Sequence, residues 1–175
     1  MSSKVEQYIA VIPDFPKPGI IFRDITPVTE HPDGLQAVTD ELAACIEGMD
    51  VDVITGIEAR GFLFGAPVAY KLGTGFVAIR KKGKLPRETV SEEYELEYGT
   101  AAIEINADSI KPGQKVVIID DLIATGGTAA AAAKLVEKLG GEVVKILFLI
   151  ELKGLEGRKA LEGYDVESLV AYEGK

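Results

Sequence analysis

The stretch KVVIIDDLIATGGT, from Lys115 to Thr128, constrains the fold of this chain more than any other segment. It starts as an unbroken apolar run, which is typical of a central parallel strand covered on both faces. A glycine-containing loop and an alanine-rich helical pattern follow directly. Ligands of open α/β sheets bind beyond the carboxyl ends of the strands. The adjacent Asp120 and Asp121, together with the loop after them, therefore mark the predicted site.

The loop from Ala124 to Thr128 is predicted to hold a phosphate. Gly126 and Gly127 permit backbone conformations that turn several N–H groups toward one point, and the hydroxyls of Thr125 and Thr128 add donors. The following helix presents the positive end of its dipole. The spacings of a triphosphate P-loop and of a dinucleotide fingerprint are both missing, so the sequence favours a phosphate monoester.

The two carboxylates beside this anion site need a separate explanation. Carboxylates accept hydrogen bonds from vicinal diols. A ribose 5-phosphate carries a phosphate at one end and a diol at the other, so the loop would take the phosphate while Asp120 and Asp121 take the 2- and 3-hydroxyls. The alternative is a strand that ends in helix-capping aspartates, but capping needs only one carboxylate.

The rest of the chain indicates one α/β domain over residues 1–175, with a central, mostly parallel sheet flanked by helices. The net charge of −9 argues against a nucleic-acid partner. The single cysteine excludes an intrachain disulfide. No apolar run reaches about 18 residues, so we expect no membrane span and a cytoplasmic protein.

Three local predictions concern less regular segments. We predict a short helix within residues 4–12 and another near residues 154–163. The charged segment 81–99 is predicted to be exposed and mobile, and its last residues are predicted to pair with residues 100–106 as a hairpin.

The segment VVIIDDLIATGGT resembles the signature of the type I phosphoribosyltransferases. Three further stretches resemble the adenine phosphoribosyltransferases among them, and the resemblance extends at least over residues 13–150. These stretches are DFPKPGIIFRDITP (14–27), GIEARGFLFG (56–65) and IRKKGKLPRETVSEEYELEYGT (79–100).

The resemblance implies transfer of a 5-phosphoribosyl group from phosphoribosyl pyrophosphate to adenine, giving AMP and pyrophosphate. It implies a type I phosphoribosyltransferase-like fold with a small base-binding hood, residues 1–30, and a mobile lid segment, residues 81–99. It further implies Mg²⁺, held mainly by substrate and water rather than by direct protein ligands, and a homodimer. In this family the peptide that is here Glu58–Ala59 is often cis.

The resemblance assigns roles in the base pocket. Phe22 stacks on the purine while backbone groups of Ile21 and Arg23 read its edge. Judged from the residues alone, Phe22 could equally well be a residue of the hydrophobic core.

The same resemblance assigns the charged groups. Arg80 and Lys84 are implied to contact pyrophosphate, although a charge run such as RKKGK is usually a solvated face. Arg60 is a second candidate, because it follows the predicted strand VDVITG and so lies at a strand's carboxyl end. Glu97 is implied as the acid/base partner of adenine N7, with Tyr98 closing over the site.

Two alternatives to this function remain. One is a non-enzymatic sensor of phosphoribosyl pyrophosphate, such as a transcriptional regulator. Its need for a basic face or an added DNA-binding module fits poorly with this short, acidic chain. The other is a related enzyme for a different base, and only the resemblance of the hood favours adenine.

Overall fold

The computed structural model describes residues 3–96 and 99–174. This part of the chain contains nine strands and four α-helices. In chain order they are β1 (Ala10–Pro13), β2 (Ile21–Asp24), α1 (Thr26–Glu30), α2 (Pro32–Ala44), β3 (Val53–Ile57), α3 (Arg60–Leu72), β4 (Gly75–Lys81), β5 (Thr89–Glu95), β6 (Thr100–Asn106), β7 (Lys115–Ile123), α4 (Gly127–Lys138), β8 (Glu142–Leu152) and β9 (Val166–Tyr172).

Seven strands form the central sheet in the order β5-β6-β4-β3-β7-β8-β9. The five strands β4, β3, β7, β8 and β9 run parallel, while β6 joins β4 and β5 antiparallel. Short strands such as β3 feed directly into helices such as α3, so the strand ends and the helix starts collect at one edge. The predicted mostly parallel sheet flanked by helices is confirmed.

The central strand β7 is covered on both faces, as its apolar sequence predicts. Val117 and Ile119 pack with helices α2 and α3 on one face. Val116 and Ile118 pack with α4 and the β5–β6 hairpin on the other. All four side chains are fully buried, and burying one such side chain contributes about 1.5–3 kcal/mol. The strand is therefore held rigidly, which fixes the two aspartates near its carboxyl end.

The predicted helix over residues 4–12 is wrong. Only a 3-10 turn, Glu6–Tyr8, forms there, and β1 follows it and pairs antiparallel with β2. The β-branched Val11 and Ile12 suit a strand, and Pro13 cannot continue a helix. The region predicted as the hood thus contains its own two-stranded sheet.

The predicted helix near residues 154–163 is also wrong. Two 3-10 turns, Lys153–Leu155 and Gly157–Leu161, replace it. Glu156 between them has a φ of 53°, and a left-handed residue interrupts an α-helix. The glycines on both sides add flexibility that a helix disfavours.

The lid segment is partly regular. Strand β5 lies at the edge of the central sheet and pairs with β6, for example Tyr94 with Ala101. The predicted hairpin is confirmed, and the predicted mobility of the lid segment stays a prediction. In the described part of the chain, no helix is long and apolar enough to cross a membrane.

Candidate active site

The two aspartates at the end of β7 lie against the start of α3. The Nε of Arg60 is 2.7 Å from Oδ2 of Asp121. A Cβ added at Gly61 would lie 2.8 Å from the carbonyl oxygen of Ile119 and 3.0 Å from Oδ1 of Asp120. Only glycine fits that close approach, which brings the Arg60 guanidinium to the carboxylates.

The aspartates differ in their surroundings. The backbone N–H of Asp121 donates to Oδ1 of Asp120 at 2.9 Å. Burial, and next the neighbouring charge of Asp121, raise the pKa of Asp120 well above its ordinary value. Burial and the neighbouring charge both disfavour the ionised form of Asp120. A positive centre close to the two carboxylates would offset that penalty and favour the state in which both are ionised. This arrangement suits a ligand that develops positive charge.

The predicted phosphate loop encloses a cavity of about 90 Å³ that is lined by Asp120 and by the residues from Leu122 to Ala129. Gly126 has a φ of 82° and precedes α4. A Cβ there would collide with the carbonyl oxygen of Gly157. At Gly127 the nearest atom that a Cβ would meet among the described residues, apart from its own helix and chain neighbours, is the Glu95 carbonyl oxygen at 3.8 Å. The fold therefore requires glycine at Gly126, whereas at Gly127 space is left for a ligand.

Arg80 is held at the end of β4 by a carboxylate that the sequence analysis did not single out. Its Nε and Nη2 donate to Glu58 at 3.1 and 3.3 Å, and the Lys81 N–H adds a bond of 3.0 Å. The hydrogen bond from Arg80 is the main cause that lowers the pKa of Glu58. Nη1 of Arg80 also donates to the Lys84 carbonyl at 3.4 Å. The Glu58–Ala59 peptide is cis, the form that the resemblance to the adenine phosphoribosyltransferases implies.

A cavity of about 510 Å³ separates the hood from the sheet. Its lining includes Ile21, Phe22, Arg23, Arg60, Asp121, Leu152 and Leu155. Phe22 also borders a second cavity of about 440 Å³ with Phe15, and its ring contacts that of Phe15 edge-on at 5.2 Å. Phe22 thus borders two cavities and is only half-buried, which favours the base-stacking role over a core role.

The Arg23 side chain is engaged by the last strand of the sheet. Its guanidinium carbon lies 3.9 Å from the centre of the Tyr172 ring. This cation–π contact ties the hood to β9. A role for Arg23 in reading a base thus falls to its backbone, as the resemblance implies.

Leu152 and Leu155 line the cavity between the hood and the sheet, and the sequence analysis did not single them out. Leu152 ends β8 and Leu155 follows it, and the carboxyl end of β8 lies beside that of β7. The signal was available, because every parallel strand end at this edge is a candidate for ligand contact. The prediction of a helix near residues 154–163 concealed it.

Glu97 and Tyr98, the predicted acid/base and closing residues, lie outside the described residues. The neighbouring Glu95 is described, and its carbonyl oxygen would lie 3.8 Å from a Cβ at Gly127. The lid segment therefore runs past the phosphate loop immediately before these two positions.

Comparison with known proteins assigns the family. A family model described as the phosphoribosyl transferase domain matches residues 24–171. The chain belongs to this family. An adenine phosphoribosyltransferase of Agathobacter rectalis is 63% identical over 171 residues, covering 98% of each chain.

Two solved structures agree with this assignment. The adenine phosphoribosyltransferase of Thermoanaerobacter pseudethanolicus has a TM-score of 0.93 at 57% identity and covers 97% of this chain and 98% of its own. The adenine phosphoribosyl transferase of Trypanosoma brucei, in complex with AMP, pyrophosphate and ribose-5-phosphate, has a TM-score of 0.87 at 27% identity. It covers 96% of this chain and 78% of its own. The resemblance and the fold class predicted from the sequence are confirmed.

Proposed function

We propose that this chain transfers the 5-phosphoribosyl group of phosphoribosyl pyrophosphate to adenine, giving AMP and pyrophosphate. One observation carries the proposal. Asp120 lines the phosphate-loop cavity, and its neighbour Asp121 lines the larger cavity under the hood. A ribose held by this pair would place its 5-phosphate in the first cavity and its C1 toward the second. The bound molecules of the Trypanosoma brucei relative support the same reaction.

The carboxylates have an electrostatic role in this mechanism. As C1 loses pyrophosphate, the ribose takes on oxocarbenium character, as in glycoside chemistry. Asp120 and Asp121 hold the diol hydroxyls and place negative charge beside the developing cation. The raised pKa of Asp120 means that its ionised form gains more from that cation than a solvated carboxylate would.

Cations stabilise the leaving pyrophosphate. Arg60 lies at the start of α3, and Glu58 holds Arg80 at the end of the neighbouring strand β4. Lys84 follows on an exposed turn. When pyrophosphate arrives, Arg60 can exchange its bond with Asp121 for one with the ligand, which would free Asp121 for the diol.

The reacting base needs a proton acceptor and a cover. Glu97 takes the proton at adenine N7, and Tyr98 closes over the site, so that water is excluded from the activated sugar. The approach of Glu95 to Gly127 supports this placement, because the lid segment then reaches the site from the phosphate side.

Mg²⁺ fits this donor set as an ion held mainly by substrate and water. Within residues 3–96 and 99–174, no group of three or more His, Cys, Asp or Glu side chains is placed to hold a metal ion. Asp121 is already paired with Arg60, which leaves few protein oxygens. Mg²⁺ commonly keeps several waters and binds substrate phosphates. When bound, it would neutralise charge on the pyrophosphate.

A homodimer belongs to the same proposal. Helix α3 exposes Leu63 and Tyr70, with 45% and 90% of their surfaces accessible. The two residues are seven apart and so share a face of the helix, and Arg60 lies near that face at the helix start. An exposed apolar face beside a site is typical of an interface between protein chains.

The test of the function is an assay with each base. Adenine offers a donor at N6 and an acceptor at N1, whereas hypoxanthine reverses both. If backbone groups of Ile21 and Arg23 read that edge, their polarity cannot invert, and each unsatisfied group costs about 1–3 kcal/mol. We expect kcat/KM with phosphoribosyl pyrophosphate and Mg²⁺ to favour adenine over hypoxanthine and guanine by at least about 10³.

Phe22→Ala is the matched variant for this assay. Stacking does not read polarity, so this change should weaken all bases alike. Comparable efficiency with hypoxanthine would reject adenine as the substrate but keep the transferase. Tight binding of phosphoribosyl pyrophosphate without turnover of any base would instead indicate the sensor.

A further inference from the structure

An ion pair between the buried Glu151 and the half-exposed Arg158 lies at the carboxyl end of β8, outside the residues assigned above. Arg158 donates from Nε and Nη2 to the two oxygens of Glu151 at 2.8 and 2.7 Å. The Ser168 hydroxyl donates to Glu151 Oε2 at 2.7 Å. Nη1 of Arg158 donates to the Val166 carbonyl at 2.7 Å. The Glu151 carboxylate is buried and fully engaged, unlike that of a typical surface pair.

This pair fixes the 153–161 segment, which contains the two 3-10 turns. Glu151 belongs to the sheet and Arg158 to the second turn. Within the two 3-10 turns, Leu161 is the one residue with a buried side chain. The Arg158–Glu151 pair therefore fastens the segment to the sheet, together with the exposed Lys153–Glu173 pair at 2.8 Å.

One side of the 153–161 segment contacts the phosphate loop without any side chain between them. A Cβ at Gly157 would collide with the Ala124 carbonyl, and a Cβ at Gly126 would collide with the Gly157 carbonyl. Ala160 also lies close, because its Cβ would be 3.0 Å from a Cβ at Gly126. The backbone of the loop thus rests directly on the backbone of this segment. A shift of the segment would move the N–H groups that hold the phosphate.

We propose that Arg158 is a positioning residue that, through Glu151, holds the 153–161 segment behind the phosphate loop and so sets the affinity for the sugar 5-phosphate. This inference rests on the proposed function only in taking a ribose 5-phosphate as the loop's ligand. Arg158 does not line the phosphate-loop cavity, so it acts through the segment and not by contact. Of the groups assigned to pyrophosphate, Arg80 lies on β4 and is held by Glu58, which follows β3, so this part of the site is built on other elements than the 153–161 segment.

The experiment compares two ligands on the intact protein. Arg158→Ala removes the pair, and Arg158→Lys keeps a cation that cannot make the two-pronged contact. Lys159→Ala is the matched control, because Lys159 lies on the same turn, is exposed, and pairs only locally with Glu156. Isothermal titration measures the affinity of each variant for ribose 5-phosphate and for pyrophosphate, and thermal unfolding with circular dichroism checks the fold.

We expect Arg158→Ala to weaken the binding of ribose 5-phosphate at least about tenfold, the size of effect seen when residues that orient the ligand-contacting groups are removed. The affinity for pyrophosphate should change less than twofold. Arg158→Lys should recover part of the affinity, and Lys159→Ala should match the wild type. A folded Arg158→Ala with unchanged ribose 5-phosphate affinity, or with equal losses for both ligands, would overturn the proposal.

If Arg158→Ala does not fold, Ser168→Ala removes one donor to Glu151 and is judged by the same two affinities. Failure of the proposed function shows differently, as a wild type that binds ribose 5-phosphate but does not convert adenine.

Discussion

Asp121 pairs with Arg60 in the structure and is proposed to bind the ribose hydroxyls during the reaction, so its substitution should affect activity strongly. In the structure its carboxylate is buried and paired with Arg60 at 2.7 Å. During catalysis the same carboxylate would face the ribose. Asp121→Asn preserves the shape but removes the negative charge. We expect kcat to fall by about 10²–10³, the loss typical of removing one electrostatic contact to a transition state.

The measurement is steady-state turnover together with the melting temperature. Because Asp121→Asn leaves packing unchanged, the melting temperature should fall little. Asp165→Asn changes an exposed carboxylate near the amino end of β9 and serves as the control. Wild-type turnover in a folded Asp121→Asn protein would remove Asp121 from the mechanism.

The adjacent glycines of the phosphate loop predict opposite outcomes. Gly126→Ala forces a left-handed φ on alanine and drives its Cβ into Gly157, so the protein should lose stability by at least about 1–2 kcal/mol. In Gly127→Ala the added Cβ comes no closer than 3.8 Å to another segment within residues 3–96 and 99–174, so the fold should hold. Its methyl group would instead occupy space beside the phosphate and weaken the binding of AMP.

Chemical denaturation and titration with AMP separate the two effects. Each variant is the control for the other, because they differ by one position. Equal stability of both variants would contradict the collision at Gly126. Unchanged AMP affinity in Gly127→Ala would place the phosphate away from this glycine.

At the scale of elements, long periodic segments were predictable and short irregular ones were not. The continuous apolar run of β7 and the amphipathic pattern of α2 carry a strong local signal. Strand β1 has four residues, three of them exposed, so no period can be recognised in it. The two 3-10 turns of residues 153–161 lie against the phosphate loop, which is distant in sequence, so no local pattern indicates them.

The lid segment shows how an element can be regular and still loosely fastened. Strand β5 lies at the sheet edge, and Glu92 on it contacts two lysines of α4. Lys138 donates to Glu92 and, at 3.1 Å, to the Ser91 carbonyl, while Lys134 lies 3.6 Å from Glu92. The Lys138 hydrogen bond is the main cause that lowers the pKa of Glu92. These contacts fasten the outer strand to the helix that carries the phosphate loop.

We therefore expect Glu92→Ala to loosen β5. Exposed ion pairs contribute about 0.2–1 kcal/mol, so amide hydrogen exchange in residues 89–95 should accelerate by up to about fivefold. Glu93→Ala changes the exposed neighbour on the opposite face of the strand and should leave exchange unchanged. Mass spectrometry of peptides from this strand provides the measurement. Identical exchange in the two variants would show that the lysines do not hold the lid segment.

At the scale of the whole molecule, the strand ends meet at one edge, and this was predictable from the α/β pattern. The pairing of individual groups was not. Arg60 reaches Asp121 only because Gly61 lets α3 lie against β7, and Glu58 selects Arg80 from a run of five charged or glycine residues. These pairings depend on differences of a few tenths of an ångström in the distances between segments that lie far apart in sequence. No local sequence pattern encodes such differences.

The exposed apolar residues of α3 predict the oligomeric state of the whole molecule. Tyr70 is 90% exposed and Leu63 is 45% exposed on α3, and leaving both in water forgoes apolar burial worth about 25 cal/mol per Å². A charge placed there would have to be desolvated in a dimer. Light scattering should give the wild type twice the chain mass of 18.7 kDa, and Tyr70→Glu that mass once. Met49→Glu, at a partly exposed position outside α3, should stay dimeric. A wild type that elutes and scatters as a single chain at high concentration would reject the homodimer, and a dimeric Tyr70→Glu would place the interface on another face.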